Sequence, residues 1–94
     1  EQLQVGAYTF DVLHIPGHTP GHVVFYCADV DLLVAGDVLF HESIGRTDFP
    51  RGNHADLIHN ISTKLFVLPP ETQVIPGHGR MTTIGHEVKH NPFF

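Results

Sequence analysis

Ninety-four residues suffice for one domain that buries roughly 60–70% of its unfolded surface, and a second domain is not expected. A formal charge of −5, with only five scattered Lys and Arg residues, excludes the basic footprint of nucleic-acid or anionic-membrane binding. No apolar run approaches the roughly 20 residues of a membrane span, and the polar first residues do not resemble a signal peptide, so a soluble chain without a membrane partner is expected.

Tyr8 to Ile15 reads as a strand carrying Phe10, Val12 and Leu13 and ended by Pro16-Gly17. Val23 to Cys27 and Leu32 to Ala35 read as two further strands joined through Ala28-Asp29-Val30-Asp31. Cys27 is the single cysteine and sits among apolar neighbours, so it has no disulfide partner and fits a reducing, cytoplasmic setting. Val38 to Gly52, with Gly45, Pro50 and Gly52, reads as an ordered loop. Asn53 followed by Asp56 marks a helix start, and Leu57, Ile61, Leu65 and Leu68 form one apolar face that ends near Pro69-Pro70. Thr72 to Ile75 is a short strand, and Ile84 to Lys89 a last helical turn. Strands interleaved with helices predict an α/β layered fold.

The tetrapeptide Ile-Pro-Gly-His occurs at 15–18 and again at 75–78, each time after an apolar strand. Leu32-Leu33-Val34-Ala35-Gly36-Asp37 has the same form, a strand that breaks at glycine and presents a polar side chain. Three such strand ends can converge on one rim of a sheet, and two imidazoles with a carboxylate suit a zinc site. His18, Asp37 and His78 are therefore the candidate metal ligands. One such turn alone is more often an ordinary turn; the threefold parallel favours metal. His22 follows Pro20-Gly21, which forbids a helix, and reads either as a hydrogen-bond partner behind the ligands or as purely structural. Arg46, in the loop, is either a solvated cation or a partner for an anionic substrate group. Asp48 and Arg51 read as a structural pair, and His14, His41, His54, His59, His86 and His90 as residues without special chemistry.

His18-Thr19-Pro20-Gly21-His22, Gly36-Asp37, Gly45 through Gly52 (Gly-Arg-Thr-Asp-Phe-Pro-Arg-Gly) and Pro76-Gly77-His78-Gly79 together resemble the second half of the metallo-β-lactamase superfamily. Within it they look most like the small glyoxalase II group, the hydroxyacylglutathione hydrolases, as does the ending His90-Asn91-Pro92-Phe93-Phe94. The resemblance covers essentially the whole chain. It implies residues 1–94 as the C-terminal half of an αββα sandwich, because the group's His-x-His-x-Asp-His motif is missing from this sequence. It also implies a two-metal site, zinc by preference with iron or manganese as alternatives, to which His18 and His78 contribute one ligand each and which Asp37 bridges. Asp37 would then be catalytic through the metals that activate water, with Arg46 facing the carboxylate of a glutathione thioester. The expected activity of the intact protein is hydrolysis of S-D-lactoylglutathione-type thioesters. The competing readings are a mononuclear iron persulfide dioxygenase and a non-catalytic interaction module. The 94-residue chain alone is expected to be inactive and prone to self-association through uncovered strands.

Overall fold

The computed structural model describes residues 1–17, 22–47 and 52–94. Its first three long strands form a meander: β1 (Gln2–Val5), β2 (Tyr8–His14) and β3 (Val23–Cys27), each antiparallel to the next. A single 3₁₀ turn, Ala28–Val30, leads through Asp31 in the left-handed region (φ 51°) into β4 (Leu32–Gly36). The chain then makes a two-stranded hairpin, β5 (Leu39–Phe40) and β6 (Ser43–Ile44). Helix α1 (His54–Asn60) follows and continues as a π-helical segment, Ile61–Leu65. Strand β7 (Gln73–Pro76) returns to lie parallel to β4, and β8 (Thr82–Thr83) pairs with β7 before α2 (Ile84–His90). The large sheet is mixed, in the order β1-β2-β3-β4-β7-β8. This is the expected α/β class.

Register decides which side chains form the core. Tyr26 lies opposite Leu33, and Leu33 opposite Val74, so these share one face with Val24 and Ala35. Leu33, Val74, Val24 and Ala35 are fully buried there, together with Leu57, Ile61 and Leu65 from the helical segment. The opposite face carries an uninterrupted apolar row, Val12, Phe25, Val34 and Ile75, across four adjacent strands, and each of these is only half-buried.

Several boundaries differ from the sequence expectation. The stretch expected to be a loop from Val38 to Gly52 contains the β5–β6 hairpin, whose strands of two residues are too short to show an alternating pattern. β1 is fully exposed and β8 has two residues, so neither carries an apolar period. The helix also is not regular throughout. Leu57, Ile61 and Leu65 recur every fourth residue, a spacing that a regular α-helix also keeps on one apolar face. From Ile61 the segment widens to π geometry, with Leu57, Ile61 and Leu65 all buried. The start at Asn53 is as expected: its side chain accepts from the Asp56 N–H at 3.0 Å.

One buried polar group ties the edge elements together. Glu87 of α2 is fully buried, and its carboxylate accepts from the Thr82 hydroxyl (2.6 Å), the Asn91 side-chain amide (2.9 Å) and the Glu42 backbone N–H (2.8 Å). Asn91 in turn donates to the Ser43 carbonyl at 3.0 Å. The small hairpin is thus fastened to α2 through partly buried hydrogen bonds that end on the buried Glu87–Asn91 pair, where an unmade bond costs desolvation. Glu87→Ala is expected to destabilise the protein by about 3 kcal/mol, read from chemical denaturation; a loss well under 1 kcal/mol would mean that the network contributes little.

Candidate metal centre

The two glycine turns at the ends of β4 and β7 meet. Because these strands are parallel, Gly36 lies in register with Pro76, and the Gly77 N–H donates to the Gly36 carbonyl at 2.7 Å. Gly36 sits at φ 54°, a conformation that lets the chain turn sharply and present the next residue, Asp37, above the strand end. His78 follows Gly77 at the end of β7, and the left-handed residue of that turn is Gly79 at φ 82°. The result is an Asp37 carboxylate oxygen 4.0 Å from Nδ1 of His78, both side chains largely exposed on the sheet rim. Gly77 is required by this approach, since a Cβ there would stand 2.7 Å from Asp37 Oδ1. The Phe40 ring from β5 packs against the His78 imidazole at 4.6 Å between centroids and restrains its orientation.

Asp37, Phe40, His78 and Arg46 border one open cleft of about 610 Å³, with His41 and Arg80 on its rim. Arg46, beyond the β5–β6 hairpin, therefore shares the cavity with the two candidate ligands. His18 lies outside the described residues, as do Asp48 and Arg51. The turn that leads to His18 is nevertheless placed. Its Gly17 carbonyl accepts from the Asn53 N–H at 2.6 Å, and a Cβ on Gly17 would overlap the Leu57 backbone nitrogen at 2.5 Å, so α1 is packed directly on the turn. His22 precedes β3, and its carbonyl accepts from the Ile15 N–H at 2.9 Å. Its ring lies against the residue before Asp37, with Nε2 3.4 Å from the position of a Cβ on Gly36.

A second cluster of donors was not visible in the sequence. His41 and Glu42 form the tip of the β5–β6 hairpin, and His86 projects from α2. Nε2 of His41 and Nε2 of His86 stand 3.2 and 2.9 Å from the same oxygen, Glu42 Oε2. His41 and His86, expected to be without special chemistry, are thus brought together by tertiary packing. Glu42 and His86 are 44 residues apart, and no local spacing marks the pair. The hydrogen bond from His86 holds the Glu42 carboxyl below its ordinary value of 4.5; desolvation opposes this, and the charges of His41, His86 and His90 reinforce it. Because the shift is downward, what this carboxyl contributes to stability is complete above pH 4.5 and lost as pH falls through the depressed value.

A profile of the metallo-beta-lactamase superfamily matches residues 9–78, which include both glycine turns and the strands that lead to them. The chain belongs to this superfamily. It is similar to hydroxyacylglutathione hydrolase GloC of Haemophilus influenzae, at 50% identity over 93 residues, covering 99% of this chain and 44% of that protein. Among solved structures it resembles the BLEG-1 B3 metallo-beta-lactamase, with 50% identity and a TM-score of 0.92 over 98% of this chain and 44% of that one. It also resembles TTHA1623 in a di-iron-bound form, with 44% identity and a TM-score of 0.88, covering 98% of this chain and 45% of that one. The chain spans less than half the length of these relatives.

An imidazole and a carboxylate facing each other over a strand-end rim are a donor set that zinc and iron accept. Gly77→Ala is expected to push the Asp37 carboxylate aside and weaken metal binding on the order of 10–100-fold with little change in Tm. Calorimetric metal titration checks this, and an unchanged affinity would show that Gly77 does not confine the carboxylate.

Proposed function

We propose that the protein containing this chain is a metal-dependent hydrolase of glutathione thioesters, of the S-D-lactoylglutathione type. The observation that carries this reading is that Asp37 and His78, 4.0 Å apart, share a cleft with Arg46. The 50% identity to a hydroxyacylglutathione hydrolase supports the same substrate class. Asp37, His78 and His18 would hold the metals, zinc by preference, with iron supported by the di-iron-bound relative. When bound there, divalent cations supply Lewis acidity toward a thioester carbonyl and a water of lowered pKa.

The chain's own residues do the rest. Asp37, confined by Gly77, supplies the carboxylate, and Phe40 restrains the His78 ring. Arg46 offers a bidentate fork to a substrate carboxylate, which anchors the glutathione portion at a distance from the reacting bond. In this reading the remaining ligands, and the layer that covers Val12, Phe25, Val34 and Ile75, belong to a part of the protein outside this chain. The 94 residues alone would then have negligible activity and a tendency to self-associate. A cytoplasmic location, where glutathione is reduced, is part of the same proposal.

The test is metal analysis of the intact protein together with a thioester hydrolysis assay. About two metal equivalents that depend on Asp37 and His78, and metal-dependent turnover, are expected; one iron with no hydrolysis would overturn the proposal. His78→Ala should lower kcat on the order of 100-fold or more. Arg46→Ala should raise KM roughly 10-fold with kcat nearly kept, as loss of a uniform binding contact does. An unchanged KM would return Arg46 to a solvated surface charge.

A further inference from the structure

We propose that His41, Glu42 and His86 form a binding site for a single divalent transition-metal ion, zinc in the first instance, which shares no ligand with Asp37 and His78. The three ligand atoms all lie within 4.8 Å of one another. In a tetrahedral zinc site with bonds of about 2.0–2.1 Å, neighbouring ligand atoms are about 3.3–3.4 Å apart. The separations from Glu42 Oε2, 3.2 Å to His41 and 2.9 Å to His86, are within a few tenths of an ångström of that, while the two ends of the cluster, up to 4.8 Å apart, would have to close on the ion. The two imidazole rings are stacked, 5.0 Å between centroids and 15° between planes, so an ion held by both nitrogens requires one ring to tilt out of the stack.

The scaffold supports this placement. Glu42 sits in the left-handed region at φ 56°, which is uncommon for a residue with a long side chain. Its backbone N–H is held at 2.8 Å by the buried carboxylate of Glu87, the residue after His86. Backbone strain of this kind persists where surrounding bonds over-determine it, and here it directs the Glu42 carboxylate toward α2. His41 and His86 also border a recess of about 190 Å³ with Arg80, Met81, Thr82 and Thr83, which leaves room for water as a fourth ligand. Two imidazoles and one carboxylate with an open fourth position select zinc-like ions over magnesium or calcium, which prefer all-oxygen shells. Bound metal would clip the hairpin bearing Phe40 to α2 by coordination bonds in addition to the Glu87 hydrogen bonds.

The alternative is that the three residues make only an imidazole–carboxylate–imidazole hydrogen-bonded chain. Chelator-stripped intact protein is titrated with Zn²⁺ by calorimetry and with Co²⁺ by visible absorption, beside His86→Asn, Glu42→Gln and His78→Ala. The unaltered protein and His78→Ala should bind one equivalent that His86→Asn and Glu42→Gln lose or bind more than about 10-fold more weakly. Equal stoichiometry and affinity in the unaltered protein and His86→Asn would overturn the proposal. His78→Ala makes this outcome separable from failure of the thioesterase reading. Should the variants unfold, nitrogen NMR of the unaltered protein decides: Zn²⁺ must shift the Nε2 resonances of both His41 and His86, and unshifted resonances would refute the site.

Discussion

The parallel pairing of β4 with β7 is the constraint on which the rest of the site depends. It sets the ends of two strands, 40 residues apart in sequence, side by side with the same polarity, so that the residue after each glycine emerges on the same rim. The Gly77 to Gly36 hydrogen bond then fixes the height of one turn against the other. Neither glycine can be larger without cost, though for different reasons: Gly36 needs its positive φ, while Gly77 must leave space for the Asp37 carboxylate. An antiparallel arrangement would have sent the two polar residues to opposite ends of the sheet. The helical segment between the strands is what makes the parallel return possible, since a parallel pair needs a crossover of a dozen or more residues.

Much of this was legible because the repeated Ile-Pro-Gly-His and the Ala-Gly-Asp turn carry physical meaning at short range: an apolar run, a chain reversal and a donor. β2, β3, β4 and β7 were readable for the same reason, each carrying a short run or alternation of apolar residues bounded by turn residues. What escaped detection depends on partners distant in sequence. The β5–β6 hairpin is held by backbone pairing over two residues and by Glu87, none of which leaves a periodic trace. The π segment leaves no mark either, because the four-residue spacing of Leu57, Ile61 and Leu65 suits a regular α-helix as well. His41 and His86 gave no signal because their meeting is a consequence of α2 docking against the hairpin.

Glu87 connects these layers of description. A carboxylate with no exposed surface is costly unless its oxygens are satisfied, and here Thr82, Asn91 and the Glu42 N–H satisfy them. The consequence reaches the metal centre through Phe40, which lies on the same hairpin as Glu42 and packs on the His78 ring. A perturbation of α2 can thus alter the orientation of a residue in the cleft without touching it.

The two faces of the large sheet divide the physical tasks. One face is covered by the helical segment and supplies the packed core that fixes strand register, hence the relative positions of Asp37 and His78. The other presents Val12, Phe25, Val34 and Ile75 as a continuous row of half-buried side chains. These side chains do little to position Asp37 and His78, because register is already set by the pleat and by the buried row that includes Leu33 and Val74. The core side of the sheet can therefore hold the two rim residues at 4.0 Å, while the apolar row retains surface for a second layer to cover, as expected in a fold of stacked sheets.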